Sequence, residues 1–236
     1  MEPNRINILC TRPLGSFLIN EVKEQGIQID ELPFIRTEPI QSIEVQQEIE
    51  QAFLLTVPVV FTSMNAVEAV AYYQEDNQPE WDIYCIGNTT AKLVSKYFGE
   101  HRIAGTANDA ESLAELIVEV GVEDEVIFFC GDQRRDKLPK MLREHDIEVD
   151  EITVYQTIAL PHQIEKVYNG ILFFSPSAVE SFFKKNKLPQ STILFAIGNT
   201  TAAEIRKHTR NKILISDEPG KENLVRKMID YFAPSY

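Results

Sequence analysis

The chain has 236 residues, of which 44% are hydrophobic and 25% are charged. This composition is typical of globular proteins, and the length allows one large domain or two small ones. The net charge of −13 argues against a broad surface for nucleic acid or anionic membrane, and no apolar run approaches the ~20 residues of a membrane span.

Short β-rich runs alternate with helical patterns along the chain. In chain order these are strand 57–61, helix 66–74, strand 82–86, helix 90–98, helix 110–120, strand 125–129, strand 171–174, helix 178–185, strand 193–197, helix 201–208, strand 212–216 and helix 222–232. Alternation of this kind predicts an α/β fold with parallel sheets and helices on both faces of each sheet.

An internal repeat indicates two similar domains. Two sets of similar blocks recur in the same order, with offsets of 111–112 and of 120 residues. The blocks are FTSMNAVEA (61–69) with FFSPSAVES (173–181), IGNTTA at 86–91 and 197–202, INILCTRP (6–13) with VIFFCGDQ (126–133), and IQIDELPFIRT (27–37) with IEVDEITVYQT (147–157). We interpret them as a tandem duplication, in which either copy of the 120-residue set could complete either domain.

Two extended segments, 31–40 and 151–160, are the best candidates for connections between the domains. Both are β-branched and polar, and no stretch rich in Gly and Ser separates the copies. Pro33, Pro39 and Pro161 suit edge or connecting strands rather than central ones.

Hydroxyl and amide side chains crowd the turns in which predicted strands pass into helices. In open α/β sheets, ligands bind outside the carboxyl ends of the strands, where helix N-termini point N–H groups at anions. Four such turns predict two facing rims lined with hydrogen-bond donors. The candidate substrate-binding residues on these rims are Thr62, Ser63, Asn65, Thr89, Thr90, Ser175, Ser177, Thr200 and Thr201.

Helix capping is the alternative role for any one of these hydroxyls. Asn65 with Glu68, and Ser177 with Glu180, have the spacing of a capping box, and Pro176 suits the first helical position. The turns also lack the lysine of a phosphate loop and match no dinucleotide fingerprint.

Arginines follow two matching strands of the repeat, one ending near Cys10 and the other near Cys130. The planar fork of arginine grips carboxylates, so Arg12, Arg134 and Arg135 are candidate substrate-binding residues. For Arg134 and Arg135, the alternative role is a surface ion pair with Asp132 or Asp136.

Cysteine and histidine usage indicates no metal or covalent chemistry. Cys10, Cys85 and Cys130 are odd in number and widely spaced, so we expect buried thiols in a reducing cytoplasm, and the N-terminus lacks the apolar stretch of a signal peptide. The four histidines are scattered, and neither a Ser/His/Asp set nor a metal-ligand spacing emerges.

The ordered blocks ILCTRP, FTSMNAVEA, IGNTTA, FFCGDQRRDKLP, EITVYQT, FFSPSAVES and AIGNTTA resemble the uroporphyrinogen-III synthase family over essentially the whole chain. The resemblance implies two α/β domains joined by a two-stranded linker, with a cleft between them. One domain is discontinuous, at about 1–36 plus 160–236, and the other lies at about 42–150. The linker strands are expected at about 31–41 and 151–160.

The resemblance also implies a reaction. The family converts hydroxymethylbilane, a linear tetrapyrrole, to uroporphyrinogen III by removing water and closing the ring with the last pyrrole inverted, without a cofactor. A neutral acid would help the hydroxyl to leave, and Tyr155 is the candidate because a phenol stays protonated at pH 7. A half-buried linker tyrosine is its alternative role. We expect a cytoplasmic monomer without nucleic-acid or membrane partners, and at most transient contact with the preceding pathway enzyme.

Two other functions compete with this one. A two-lobed protein could bind an anionic ligand without chemistry, although the missing signal peptide argues against the periplasmic binders of that form. A tetrapyrrole methyltransferase would need a glycine loop for adenosylmethionine, and the sequence contains no such loop.

Overall fold

The computed structural model describes residues 6–74, 77–122, 124–218 and 220–232. The chain divides into two compact units, of which unit 1 is Met1–Arg36 with Ile158–Tyr236 and unit 2 is Thr37–Thr157. The cleft and the domain limits expected from the sequence stay predictions. Among the described residues, no helix combines the length and the apolar character that crossing a membrane requires.

The described residues form strands and helices that alternate along most of the chain. The strands are β1 (Asn7–Cys10), β2 (Gln28–Glu31), β3 (Ile35–Pro39), β4 (Pro58–Phe61), β5 (Asp82–Ile86), β6 (Ile103–Ala107), β7 (Glu125–Gly131), β8 (Glu148–Ala159), β9 (Gly170–Phe173), β10 (Ile193–Ala196) and β11 (Ile213–Ile215). The helices are α1 (Ser16–Glu24), α2 (Ile43–Phe53), α3 (Met64–Ala71), α4 (Gly87–Phe98), α5 (Ala110–Glu119), α6 (Lys137–Glu144), α7 (Pro176–Phe183), α8 (Asn199–His208) and α9 (Lys221–Phe232).

Two sheets share one strand order. The sheet of unit 1 runs β11-β10-β9-β1-β2, and the other sheet runs β3-β8-β7-β4-β5-β6. When the repeated blocks are superposed, β1 and β2 correspond to β7 and β8, and β9 to β11 correspond to β4 to β6. The five shared strands then follow the same order and pair in parallel throughout. The prediction of an α/β fold with similar parallel sheets is confirmed.

The sixth strand, β3, lies at the edge of the larger sheet, beside β8. It ends at Pro39, and the next residue, Ile40, donates its N–H to the carbonyl of Val154 at 2.9 Å. A proline at the end of an edge strand removes no hydrogen bond from the interior of the sheet. The prediction that Pro39 belongs to an edge strand is therefore confirmed.

Each sheet is covered on both faces, as the nearly continuous apolar runs of its strands indicate. Successive residues point to opposite faces, so in unit 1 Ile8 packs with α1 and α9 while Leu9 packs with α7 and α8. In unit 2, Phe129 belongs to the cluster of α2, α3 and α4, and Phe128 to that of α5 and α6. The described residues therefore form four apolar clusters, two inside each unit, one on each face of its sheet.

The largest buried side chain of unit 2 is Trp81, which is fully buried just before β5. Its indole Nε1 donates to the carbonyl oxygen of Ala52 at 3.0 Å. Its ring stacks on Phe53 at 5.2 Å between centroids and lies 5.6 Å from both Phe98 and Phe129. Trp81 thus ties α2 and α4 to the central strand β7.

Two serines begin the matching helices α3 and α7. Ser63 and Ser175 each accept a hydrogen bond at 3.2 Å from the N–H group three residues on, which belongs to Ala66 or Ala178. The capping boxes predicted for Asn65 with Glu68 and Ser177 with Glu180 are wrong, because each helix is capped two residues earlier. The prediction of Pro176 at the first helical position is confirmed.

The three thiols are buried, and we expect them to be unreactive in the folded protein. Burial raises the pKa of Cys10 to about 12 and that of Cys85 to about 11, and it also raises the pKa of Cys130. Because the thiolate is the reactive form, reaction with a chromogenic disulfide at pH 8 should be slow until guanidinium unfolds the protein. Rapid reaction of one thiol in the native protein would contradict this.

Candidate active site

A small pocket in unit 2 brings two of the predicted site residues together. The pocket has a volume of about 80 Å³ and lies where β3, β8 and the first turns of α3 meet. Its lining residues are Thr37, Glu38, Pro39, Asn65, Glu68 and Tyr155. Tyr155 and Asn65 were predicted to act in the site, whereas the two glutamates were not.

A bulge in β8 sets the position of Tyr155. Cys130 of β7 pairs with Thr153, but the next residue, Gly131, pairs with Tyr155, so β8 holds one extra residue, Val154. Such a bulge changes the direction of the side chains that follow it. The half-buried ring of Tyr155 consequently lies over Gly131 and packs against the cluster of α2, α3 and α4.

Asp132, in the loop after β7, forms hydrogen bonds with the backbone of β8 around Tyr155. The N–H of Asp132 donates to the carbonyl oxygen of Tyr155 at 3.1 Å. The carboxylate of Asp132 in turn accepts a hydrogen bond from the N–H of Thr157 at 2.9 Å. Asp132 therefore holds the backbone of β8 at both Tyr155 and Thr157.

The polar turns of unit 2 offer fewer accessible hydroxyls than the sequence suggested. Thr62 is half-buried, and the hydroxyl of Ser63 is used as the cap of α3. In the turn into α4, Thr89 is exposed but Thr90 is only 5% exposed. Gly87 begins this turn with a φ of 77°, a conformation that favours glycine. Substrate binding by these residues stays a prediction, and Thr89 is better placed for it than Thr90.

In the matching turns of unit 1, some hydroxyls are likewise buried or used in capping, and others are exposed. Ser175 caps α7, and its hydroxyl lies 3.2 Å from that of Ser177. Thr200 at the start of α8 is exposed, whereas Thr201 is 1% exposed and faces the core. In each copy of IGNTTA, the first threonine therefore points toward solvent and the second toward the interior.

Two cations and one carboxylate, that of Glu31, lie near the end of β1 in unit 1. The exposed Arg12 places its guanidinium 5.5 Å from the ring centroid of Phe174, which follows β9. Burial raises the pKa of Cys10, and the charges of Arg12 and Lys221 act against that rise, so both cations lie near the end of β1. Lys221, the first residue of α9, was not among the predicted site residues.

The arginines beyond β7 are placed differently. Arg134 forms ion pairs with Asp136 and Glu151, and Glu151 also accepts a hydrogen bond from Arg143 at 2.8 Å. The pairing with Asp136 is the alternative that the sequence analysis gave for this arginine. Arg135 is exposed. Substrate binding by Arg12 and Arg135 stays a prediction, and for Arg134 these ion pairs favour the alternative role in structure.

These contacts predict different effects for two alanine variants. Arg12→Ala should raise KM about tenfold, since a hydrogen bond to a charged group contributes roughly 1.5–3 kcal/mol, while Tm stays within about one degree. Arg134→Ala should leave KM unchanged and lower stability by about 1 kcal/mol, because it removes ion pairs within unit 2. Steady-state kinetics and thermal melts of both variants measure this, and the reverse pattern would contradict it.

The two parallel sheets and the polar turns at their carboxyl edges define a duplicated α/β protein with its side-chain chemistry at those edges. A family model described as uroporphyrinogen-III synthase HemD matches residues 16–226. The chain belongs to this family. The resemblance seen in the sequence blocks is therefore confirmed.

Curated relatives carry names from the same pathway. The chain is 23% identical over 242 residues to the porphyrin biosynthesis protein HemD of Ruminiclostridium josui, a match that covers 94% of this chain and 48% of that protein. It is 24% identical over 170 residues to the uroporphyrinogen-III synthase of Saccharomyces cerevisiae, covering 61% of this chain and 62% of that protein. The chain thus spans about half to three fifths of the relatives that it matches.

Two solved structures share the fold. One is a mutant uroporphyrinogen III synthase from the extremely thermophilic bacterium Thermus thermophilus, with a TM-score of 0.63 and 14% identity over 96% of this chain and 98% of that one. The other is the uroporphyrinogen-III synthetase of Helicobacter pylori, with a TM-score of 0.64 and 16% identity over 96% and 99% of the two chains. At these identities the match concerns the fold alone.

Proposed function

We propose that this protein converts hydroxymethylbilane to uroporphyrinogen III, with loss of water and inversion of the last pyrrole ring. The observation that carries the proposal is the family match over residues 16–226. The pocket that contains Tyr155 supports it with a neutral acid in unit 2. We expect the protein to act as a cytoplasmic monomer without a cofactor.

The reaction needs a proton donor and later a proton acceptor. Tyr155 donates its phenolic proton to the terminal hydroxyl, the C–O bond breaks, and water leaves. The pyrrole nitrogen supplies the electron pair that the carbon loses, so the ring becomes cationic. The last pyrrole attacks that carbon through its substituted α-carbon and forms a spiro intermediate. The bond from this α-carbon to the neighbouring methylene bridge then breaks, and the bridge carbon bonds instead to the free α-carbon, which inverts the ring. The free α-carbon finally loses its proton, which the phenolate of Tyr155 recovers.

The negative charge of the pocket favours formation of the cationic pyrrole ring. Glu38 and Glu68 line the same pocket as Tyr155, and their negative charge favours a cation that forms there over the neutral ground state. The same carboxylates repel the acetate and propionate groups of the substrate. We therefore assign the hydroxymethyl end of the substrate to this pocket and its carboxylates to other residues.

The donors for these carboxylates are those that the structure leaves accessible. Arg12, Thr89 and Thr200 are exposed at the carboxyl edges of their sheets. Several donors of this kind can hold a flexible polyanion in one conformation, which is the main task here because spontaneous closure gives the type I isomer. Orientation of the reacting groups can account for a large part of the rate by which formation of the type III isomer exceeds spontaneous closure to type I.

Analysis of the product isomer tests the proposal. The purified chain is added to hydroxymethylbilane generated enzymatically, and the uroporphyrinogen formed is oxidised and separated by chromatography. We expect the type III isomer in excess. A product that is entirely type I, as in the reaction without the chain, would contradict the proposal and favour a protein that binds an anionic ligand without chemistry.

A further inference from the structure

The ring of Tyr155 occupies the space that a side chain at position 131 would need. A Cβ atom on Gly131 would lie 2.5 Å from Cε2 and 2.7 Å from the hydroxyl oxygen of Tyr155, and closer still to Cζ. Real Cβ atoms essentially never approach another heavy atom within 3.0 Å. Any residue other than glycine therefore displaces the phenol.

The backbone does not explain a glycine at this position. Gly26, Gly87, Gly99, Gly121 and Gly220 have positive φ values, whereas Gly131 does not. Its conformation within β7 is one that other residues adopt readily. The requirement for glycine is therefore steric, and the group that imposes it is the ring of Tyr155.

Two further features fix the backbone that carries the ring. The bulge in β8 puts Tyr155 directly opposite Gly131, so that both residues face the same side of the sheet. Asp132 binds the carbonyl of Tyr155 through its N–H and the N–H of Thr157 through its carboxylate. The backbone of β8 at Tyr155 cannot shift without breaking these bonds.

We propose that Gly131 is a positioning residue, whose missing side chain leaves the space in which the hydroxyl of Tyr155 is set against the pocket. The inference rests on the proposed function, in which Tyr155 is the acid. Gly131 itself makes no contact with substrate in this scheme; it acts through Tyr155. Asp132 has the same role for the backbone of β8.

A double-mutant cycle tests the coupling. Gly131→Ala should lower kcat at least tenfold with KM within about twofold, because a displacement of 1 Å can cost about 10² in rate. In the Tyr155→Phe background, the same change should cost no further activity. Gly105→Ala, in β6 of the same sheet, is the matched control. Its Cβ would meet the end of Leu116 at 2.7 Å and the ring of Tyr84 at 3.0 Å, so it crowds its neighbours away from Tyr155, and kcat should stay unchanged.

A second measurement does not depend on activity. In protein with ¹³C-labelled tyrosine rings, the signal of Tyr155 is assigned by its loss in Tyr155→Phe. We expect this signal to shift in Gly131→Ala and to stay in Gly105→Ala. Asp132→Ala, which keeps Gly131, should also shift it and lower kcat roughly 2- to 10-fold, the value of one lost hydrogen bond.

These outcomes separate the two proposals. If the wild type forms no type III isomer, the proposed function fails, while the ring signal still decides whether Gly131 positions Tyr155. If the type III isomer forms but the Tyr155 signal is the same in Gly131→Ala, the positioning role is wrong. The positioning role is also wrong if kcat of the double variant falls by the product of the two losses that Gly131→Ala and Tyr155→Phe cause singly. If Gly131→Ala does not fold, the variant that combines it with Tyr155→Ala should fold, because the clashing ring is gone. A combined variant that also fails to fold would make the positioning role wrong.

Discussion

Replacing Tyr155 with Phe should lower kcat for the type III isomer about 100-fold, with KM and the fold nearly unchanged. The lost hydroxyl would donate its proton only as the C–O bond breaks, so its loss appears in the turnover number rather than in binding. General acid catalysis contributes about 10²–10⁴-fold, and we expect the low end because an electron-rich pyrrole already assists the departure of the hydroxyl. Rates at saturating substrate measure the effect, with circular dichroism as the folding check.

Tyr168→Phe is the matched control for this variant. The hydroxyl of Tyr168 donates to Asp30 in unit 1 at 3.0 Å, and burial, with that bond, raises its pKa to about 12. Removing this hydroxyl should lower stability by about 1 kcal/mol and leave kcat unchanged. A folded Tyr155→Phe enzyme with the wild-type rate would exclude Tyr155 as the acid. Orientation by the other donors would then have to account for catalysis alone.

Trp81→Ala should lower the free energy of unfolding of unit 2 by about 3–5 kcal/mol. The change leaves a cavity among Phe53, Phe98 and Phe129 and removes the donor to the carbonyl of Ala52. Urea unfolding followed by far-UV circular dichroism measures the loss. Because Trp81 is the only tryptophan of the chain, its fluorescence in the wild type identifies which transition belongs to unit 2.

Trp81→Phe separates the ring from its hydrogen bond. Phenylalanine keeps most of the aromatic contacts but leaves the carbonyl of Ala52 without its donor, so we expect a smaller loss of about 1–3 kcal/mol. The unfolding of unit 1 should be the same in both variants, since Trp81 belongs to the other unit. A loss below about 1 kcal/mol for Trp81→Ala would show that α2 and α4 do not depend on this contact.

The elements with continuous apolar runs could be predicted from the sequence, and others could not. β4, β5, β7, β9, β10 and β11 coincide with predicted strands because burial on both faces leaves no polar position in most of them. β6 escaped prediction because its residues alternate between half-buried and exposed and include Gly105. The helix α2 escaped because only Ile49, Ala52 and Phe53 of its residues are buried.

The candidate site was predictable in its location and not in its detail. Strand–helix turns identify the polar edges, and the resemblance identifies Tyr155. The role of each hydroxyl depends on the residue at which a helix begins, and a shift of one position separates the exposed Thr89 from the buried Thr90. The opposition of Gly131 and Tyr155 depends on a bulge, and no local sequence pattern reveals one extra residue in a strand.

The discontinuity of unit 1 has a consequence for synthesis on the ribosome. Unit 2 is complete once Thr157 has emerged, whereas β1, which lies between β9 and β2, waits for the C-terminal half of its own sheet. About 75 more residues must be added before α9 ends at Phe232, which takes roughly 4–15 s at 5–20 residues per second. During that interval the face of β1 that carries Leu9 lacks α7 and α8, which cover it in the folded protein, so we expect chaperones to bind this nascent segment.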